Sequence, residues 1–417
     1  MGLRRFFFCV PLLLAACHAS TSDDGAEGSN DAITSNEGNI LDFRIEASVV
    51  AGKDEKARQA IVSQLYYVQG ILTTAGNGNG HVGQVTILSS EETVTGETKT
   101  ITYKASLPVA FPKDLDKPTS YALALPKDAT KLDAFNAKYD GHCGTNEYGQ
   151  ENFWHDWNPK APGCAMDDAD VLKVTAQVTP YAGETKNKYP EYDLIWQDNR
   201  LDIVAIFGII EGDTPSDEGY QQAQLFLDHA KSGLTGAQLK DNARSASELK
   251  NQTLTGKSNG RDVKIDLIVV QELQYVGADF DTWYDPLSEK ADMILYNGHA
   301  GLGKNVNFLA RHGKVAPRKY QMMLFDGCQT FAYMDTTVTD RRIEANGAAD
   351  DPNGTKYLDM VGNALPGYAS NLAQMSNALY DGVVGNAQPK SYNQLLSNMP
   401  AEHIVVVFGE EDNRFTP

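Results

Sequence analysis

A histidine and a cysteine occupy matching places in two segments of the sequence. Segment 291–299 reads ADMILYNGH and ends in His299, and segment 320–328 reads YQMMLFDGC and ends in Cys328. In each segment an apolar run leads to a glycine and then to the residue that could do chemistry. An imidazole beside a thiol favours the thiolate, a strong nucleophile, near neutral pH. The two segments therefore predict nucleophilic catalysis by Cys328, with His299 as its base.

The two apolar runs also indicate how these side chains are positioned. A short apolar run that ends at a Gly-containing turn is typical of a parallel strand buried on both faces. Ligands of open α/β sheets bind just beyond the carboxyl ends of the strands. We therefore expect two neighbouring parallel strands that place His299 and Cys328 side by side at one edge of a sheet.

The sequence changes character near residue 190. Residues 42–190 contain short alternating and β-branched segments between Gly, Asn and Pro turns, which predicts a β-rich domain. In residues 191–417 apolar strands alternate with helices, which predicts an α/β domain with a mostly parallel sheet flanked by helices. Strands are predicted at 43–50, 82–88, 92–106, 171–178, 202–210, 263–270 and 404–408, helices at 54–68, 218–231, 281–290 and 371–380, and a polar loop at 335–355.

The order of these features resembles the caspase-like superfamily of cysteine peptidases, which includes caspases, metacaspases, gingipains, legumains and separases. The likeness rests on an apolar block, a His in a Gly-rich turn, a spacer, a second apolar block, and a small residue followed by Cys. Members usually have Gly after the His, whereas this chain has Ala300 and then Gly301. The resemblance implies a caspase-like domain over residues 191–417 and peptide-bond hydrolysis through a thioester on Cys328.

The resemblance also implies roles for residues around the nucleophile. The backbone N–H groups of Cys328 and Ala300 are the expected oxyanion donors. Asp326 matches the Asp of the Asp-x-Cys motif of metacaspases, which implies a substrate pocket for Lys or Arg before the scissile bond. An Asp that caps the turn after its strand is an equally good interpretation of Asp326. The pair Arg341-Arg342 falls in the predicted polar loop and is a candidate self-processing site.

Two other functions remain open from the sequence. Residues 298–304, GHAGLGK, match the Gly-x-x-x-x-Gly-Lys pattern of a phosphate-binding loop, but Asn305 replaces the Ser or Thr that would reach magnesium, and no strongly helical run is evident after it. Alternatively, the chain is a catalytically inactive, surface-anchored binding protein on a caspase-like scaffold, because a fold does not determine a function.

The amino terminus has the pattern of a bacterial lipoprotein signal peptide. Residues 1–17 have a basic start, a short apolar run and the sequence LAAC at residues 14–17, which predicts lipidation of Cys17. An ordinary secretory signal is the alternative. His18 is not the Asp that retains many lipoproteins at the inner membrane, which favours the outer membrane. Residues 18–41 are small and polar, which predicts a flexible tether.

Cysteine usage fits an oxidising compartment. Two of the five Cys residues belong to the leader and the lipid site. Cys143 and Cys164 are expected to form a disulfide across a turn-rich segment. A metal site of His142, Cys143, His155 and Cys164 is the alternative, although its spacing fits no common zinc pattern. Cys328 is then left unpaired. The alternative to a catalytic role for Cys328 is a buried, inert thiol.

The negative net charge of the chain limits the classes of partner that it can bind. The chain has 36 Lys and Arg against 55 Asp and Glu, a formal net charge of −19. Nucleic acid is excluded as a partner because no basic patch is evident, and the membrane is contacted only through the lipid. We expect a peptide or protein substrate, no metal and no cofactor. The aromatic segment 152–159, NFWHDWNP, is either a ligand-binding loop or a plug that packs beside the disulfide.

Overall fold

The computed structural model describes residues 38–73, 81–83, 85–112, 115–181, 188–212, 214–244, 248–334, 337–384, 388–400 and 403–417. The predicted leader, the lipid site Cys17 and all but the last few residues of the predicted tether lie outside these ranges. The described residues form two sheets, and each sheet has its own apolar core.

The first sheet belongs to the predicted β-rich domain. Its strands in the described ranges are β1 (Gly38–Gly52), β2 (His81–Val82), β3 (Thr86–Thr95), β4 (Thr98–Pro112), β5 (Ser120–Pro126) and β6 (Val171–Pro180). They pair antiparallel in the order β2-β4-β1-β6-β5, with β3 beside β4. Strand β1 starts at Gly38, inside the predicted tether, because Ile40 and Leu41 are buried.

Helices cover this sheet with aromatic and aliphatic side chains. They are α1 (Ala57–Leu65), α2 (Tyr67–Thr73), α3 (Leu132–Tyr139) and α4 (Phe153–Asp156). The helix predicted at 54–68 is therefore interrupted at Tyr66. The core includes Phe43 and Trp157, both fully buried, and burial of such large apolar surfaces is the main stabilising term of folding.

The second sheet confirms the predicted α/β class. Its strands in the described ranges are β7 (Arg200–Gly208), β8 (Thr235–Asp241), β9 (Glu248–Ser258), β10 (Arg261–Val270), β11 (Met293–Asn297), β12 (Gln321–Asp326), β13 (Leu358–Asn363) and β14 (Val405–Phe408). Their order is β14-β13-β12-β11-β7-β10-β9-β8. The five strands from β13 to β10 run parallel, and antiparallel strands close both edges.

Helices lie on both faces of this sheet. They are α5 (Tyr192–Ile195), α6 (Glu218–Gly233), α7 (Asp279–Ser288), α8 (Lys304–Arg311), α9 (Thr330–Tyr333), α10 (Thr337–Asn346), α11 (Leu372–Val384) and α12 (Tyr392–Leu396). Helices α6 and α11 pack on one face and α7 and α8 on the other. None of the helices in the described part of the chain has the length and apolar character needed to cross a membrane.

Two sequence expectations in this domain are wrong. The predicted polar loop at 335–355 contains helix α10, in which Arg342 is buried and Arg341 donates to the Ala310 and His312 carbonyl oxygens at 2.9 and 2.7 Å. The pair is therefore not in an exposed loop, and its predicted role as a self-processing site loses its basis. A helix, α8, does follow the glycine-rich segment 298–304.

The two domains share an apolar contact next to Cys328. Ile40 and Ala110 of the first domain pack with Phe331, Ile404 and Val406 of the second. Strand β2 approaches helix α9 so closely that a Cβ atom on Gly83 would lie 2.2 Å from the ring of Phe331. The helix that follows the cysteine is thus packed between the two domains.

Candidate active site

The turns that carry His299 and Cys328 are held against each other. Strands β11 and β12 are parallel neighbours, as the sequence predicts, and Asn297 lies opposite Asp326, so each turn starts at the same level. The N–H of Gly298 donates to the Asp326 carbonyl oxygen at 2.9 Å. A Cβ atom on Gly327 would lie 2.5 Å from the Gly298 carbonyl oxygen, so only glycine allows this approach.

His299 and Cys328 line one cleft of about 540 Å³. The cleft lies between the two domains, since both contribute to its walls. Its other lining residues are Tyr148, Asn152, His155, Glu272, Gln274, Ala300, Gly301, Leu302, Lys304, Gln329, Tyr333 and Pro366. The second domain thus presents both reactive side chains, and the first domain faces them.

The His299 ring contacts a backbone carbonyl group through Nε2. Its Nε2 lies 3.0 Å from the Ile210 carbonyl oxygen, which can only accept, so Nε2 carries the hydrogen and Nδ1 is left as the proton acceptor. The His299 carbonyl oxygen accepts from the Tyr296 hydroxyl at 2.6 Å and from Asn305 Nδ2 at 2.7 Å. A backbone carbonyl therefore orients the ring, and local sequence patterns carry no signal for it.

Asp217 fixes the segment that supplies this carbonyl. Its carboxylate accepts from the N–H groups of Ile210, Glu211 and Gly212 at 2.7 to 3.1 Å, and it caps helix α6 through Gly219. Partial burial opposes ionisation of Asp217, but these N–H donors outweigh it and hold its pKa below the usual value. The hydrogen bonds of Asp217 therefore hold the Ile210 carbonyl in position.

Cys328 is exposed and unpaired among the described cysteines, which argues against a buried, inert thiol. Its Sγ lies 3.8 Å from the Gly367 carbonyl oxygen. Although the residue reaches the surface, the protein packed around the sulfur raises the pKa of the thiol. The resting residue is therefore a protonated thiol, and it needs a base to become a nucleophile.

The predicted oxyanion donors remain free for a ligand. Within the described ranges, neither the Ala300 N–H nor the Cys328 N–H donates a hydrogen bond to a protein acceptor. The next residue, Gln329, has a φ of 54° and donates its N–H to the Leu365 carbonyl oxygen at 2.9 Å, which fixes the turn behind the nucleophile. Gly327 brings the turn close to the Ala300 nitrogen.

Asp326 does not reach the cleft. Its side chain is fully buried, and neither carboxylate oxygen accepts a hydrogen bond within the described part of the chain. It therefore does not cap its turn. Burial raises its pKa well above the usual value, so its uncharged form is favoured. A peptide side chain that enters the cleft does not meet this carboxyl group.

The first domain contributes cleft residues whose position beside His299 and Cys328 was not predicted from the sequence. Cys143 and Cys164 form the predicted disulfide, so the alternative metal site lacks its two thiolates. The segment between them delivers Tyr148 and His155 to the cleft, where His155 Nε2 lies 3.3 Å from Oε1 of Gln329. The aromatic composition of 152–159 was the only available signal for this role.

Segment 152–159 has apolar residues packed in the core of the first domain and polar residues that line the cleft. Trp157 is fully buried, its Nε1 donates to the Ala124 carbonyl oxygen at 2.8 Å, and its ring packs against Phe135 at 5.1 Å between centroids. Asn152 and His155 instead line the cleft. The apolar residues of the segment anchor it, and the polar ones face the candidate site.

Two N–H groups of the glycine-rich segment 298–304 are bonded within the segment itself. Although helix α8 follows it, the N–H groups of Gly303 and Lys304 donate to the carbonyl oxygens of Ala300 and Gly301 at 3.0 Å. Asn305, at the place of the magnesium-binding hydroxyl, is buried and accepts from the Gln274 N–H at 3.0 Å. A phosphate-binding loop needs such donors to be free, so these contacts and the buried Asn305 argue against this alternative.

No protein-family model matches the chain, and no curated protein matches it either. The resemblance to caspase-like peptidases therefore rests on the motifs around His299 and Cys328 and stays a prediction.

Proposed function

We propose that this protein is a cysteine endopeptidase that hydrolyses peptide bonds through a thioester on Cys328. The observation that carries the proposal is the placement of His299 and Cys328. Both follow the paired ends of neighbouring parallel strands and line one cleft. The protonated thiol, the base with a free Nδ1 and two unbonded N–H groups are the parts that thiol catalysis of acyl transfer requires.

In the proposed mechanism, Nδ1 of His299 takes the thiol proton as Cys328 attacks the scissile carbonyl carbon. The tetrahedral oxyanion accepts hydrogen bonds from the N–H groups of Ala300 and Cys328, each contributing about 3 kcal/mol. Collapse of this intermediate breaks the C–N bond, and His299 protonates the leaving amine. Water then attacks the thioester while His299 takes its proton, which releases the acid and restores the thiol.

The proposal includes a preference for cleavage after Lys or Arg. The carboxylates that would bind these basic side chains belong to residues other than Asp326. A second cavity of about 550 Å³ is lined by Glu211, Glu218 and other described residues of 210–218, and by residues 368–370. The first segment contains the carbonyl that orients His299, and the second follows Gly367 beside Cys328. We expect Glu211→Gln to lower the preference for Arg over Ala, and Asp326→Asn to leave it unchanged.

The leader and Cys17 support a location on the cell envelope, anchored by lipid and most consistent with the outer membrane. Labelling of the growing cell with a fatty acid should mark the protein, and Cys17→Ser should abolish the label. An unlabelled wild-type protein in the soluble fraction would support the ordinary secretory signal instead.

The alternative function is an inactive binding protein with a caspase-like scaffold. The experiment that separates the two uses an Arg-containing peptide substrate and a thiol-directed peptide probe with the same sequence. We expect wild-type protein to cleave the substrate and to label at Cys328. Cys328→Ala and His299→Ala should each lose about 10³-fold or more in kcat/KM.

The matched control is His312→Ala. His312 pairs with Asp281 at 2.6 Å, does not line the cleft, and is the other His in the spacer before Cys328. Its replacement should leave hydrolysis within about twofold. A wild-type Cys328 that resists the probe, or labelling that persists unchanged in His299→Ala, would support the binding protein and refute the peptidase.

A further inference from the structure

A smaller cavity lies beside the catalytic cleft and has apolar walls. This apolar pocket has a volume of about 240 Å³, and its walls include Val62, Leu65, Tyr66, Val85, Trp154 and Met334. Most of these residues belong to the first domain. The polar residues Lys56, Arg58, Gln59 and Gln69 also line it.

The apolar pocket and the cleft share one wall. Tyr333 lines both cavities. Its ring meets the edge of the Trp154 ring with centroids 6.3 Å apart, and it is buried. Tyr333 ends helix α9, which starts two residues after Cys328. Only the Tyr333 side chain would therefore separate a peptide held at Cys328 from the apolar pocket.

The shared wall is fixed in place by the first domain. Gly83 packs directly against Phe331 of α9, and Trp154 contacts Tyr333 on the other side of the same helix turn. Tyr66 stacks on Trp154 with centroids 5.2 Å apart, which orients the opposite wall. One wall of the apolar pocket is thus formed by packed rings.

We infer that the apolar pocket binds an aliphatic or aromatic side chain of the substrate peptide, at a position away from the scissile bond. This inference rests on the proposed peptidase function. The pocket's walls favour such a side chain because each buried CH₂ group contributes about 0.8 kcal/mol. Binding energy from remote parts of a substrate can be used to raise the rate of the reaction itself. The first domain would then select substrates as well as support the fold.

The test is hydrolysis of a peptide series by the full chain. Each peptide carries Arg before the scissile bond and either Leu, Phe or Ala at one of the positions on either side. We expect Leu or Phe to raise kcat/KM about tenfold or more over Ala at one position, the usual discrimination by an apolar pocket.

The variant Val62→Phe narrows the apolar pocket and should reduce this preference to below about threefold without changing hydrolysis of the Ala peptides. Its matched control is Val94→Phe, at an exposed apolar position of β3 outside the pocket. The second variant, Val62→Ala, enlarges the pocket and should shift the preference from Leu towards Phe. Labelling of Cys328 by a small chloroacetamide reports that each variant is folded and keeps its thiol accessible.

The outcomes separate the two proposals. Equal hydrolysis of all peptides by an active wild-type protein would overturn the apolar pocket and leave the peptidase in place. A preference that persists in both Val62 variants would also overturn it, because another part of the cleft would then be selecting the side chain. If the wild-type protein cleaves none of the peptides, the peptidase itself fails.

Discussion

The two ends of the parallel sheet treat equally buried carboxyl groups in opposite ways. At the amino end, Oδ2 of Asp359 in β13 accepts hydrogen bonds from the Tyr320 and Tyr392 hydroxyls and from Asn413 Nδ2, whereas its Oδ1 accepts none within the described residues. At the carboxyl end of the neighbouring strand, Asp326 accepts none within the described residues. Both side chains have no exposed surface. Burial alone therefore does not tell what a polar residue does.

Other buried groups follow the same division. At the amino end, Asp292 accepts from Lys319 Nζ and from the Asp202 N–H, and these partners oppose the burial that raises its pKa to about 6. At the carboxyl end, the N–H groups of Ala300 and Cys328 have no acceptor among the described residues. Since buried polar groups normally find partners, the amino end is built for stability, whereas the carboxyl end keeps donors available.

The largest expected effect is loss of the Asp359 network. Asp359→Ala leaves two hydroxyls and one amide without their acceptor, so the free energy of unfolding in urea should fall by about 3–5 kcal/mol. The matched control Asp381→Ala removes a half-exposed carboxylate that meets His229 and should cost under about 1 kcal/mol. A loss below about 1 kcal/mol for Asp359→Ala would contradict the stabilising role of the amino end.

Removal of the disulfide should affect the carboxyl end more than the amino end. The bond closes a segment of 21 residues, so the double variant Cys143→Ala, Cys164→Ala should lose about 3 kcal/mol of stability in the first domain. That segment carries Tyr148 and His155 into the cleft, so kcat/KM should fall as well. Unchanged turnover by the folded double variant would show that the cleft does not need this wall.

Asp326 should make stability depend on pH. Burial raises the folded pKa of Asp326 above its unfolded value of about 3.9. The contribution of Asp326 to the free energy of unfolding is therefore most favourable below a pH of about 3.9, and it is lost as the pH rises towards the folded pKa. The loss has a limiting slope of about 1.4 kcal/mol per pH unit. Asp326→Asn removes it, so urea unfolding between pH 4.5 and 8 should show an increasing advantage for the variant. A constant difference across this range would indicate a partner for the carboxylate.

The smallest effect is expected from His155. Loss of its contact with Gln329 should lower kcat/KM by about fivefold in His155→Ala, the value of one ordinary hydrogen bond. His155→Gln keeps a donor and should recover part of the loss, while both variants unfold at similar urea concentrations. Equal activity of wild type and His155→Ala would confine the residue to a structural role.

Local patterns in the sequence determined the parts of the molecule that depend on short-range order. The apolar runs before His299 and Cys328 are recognisable as buried strands because their composition reflects burial on both faces. Strands β7 and β10 were predicted for the same reason, helices α6, α7 and α11 were also predicted, and strand β13 was not. The disulfide followed from the number and spacing of the Cys residues and the expected compartment.

Only the tertiary structure decided which groups meet. Strand β8 is largely exposed and strand β9 is largely polar, so the sequence of this hairpin lacks the apolar signal that marks the other strands. The Ile210 carbonyl beside His299, and His155 beside Gln329, come from segments distant in the sequence. The packing around the end of β12 buries Asp326 without a hydrogen-bond partner among the described residues. A short stretch of sequence indicates the propensity for a strand or a helix, whereas contacts between distant segments depend on the packing of the whole fold.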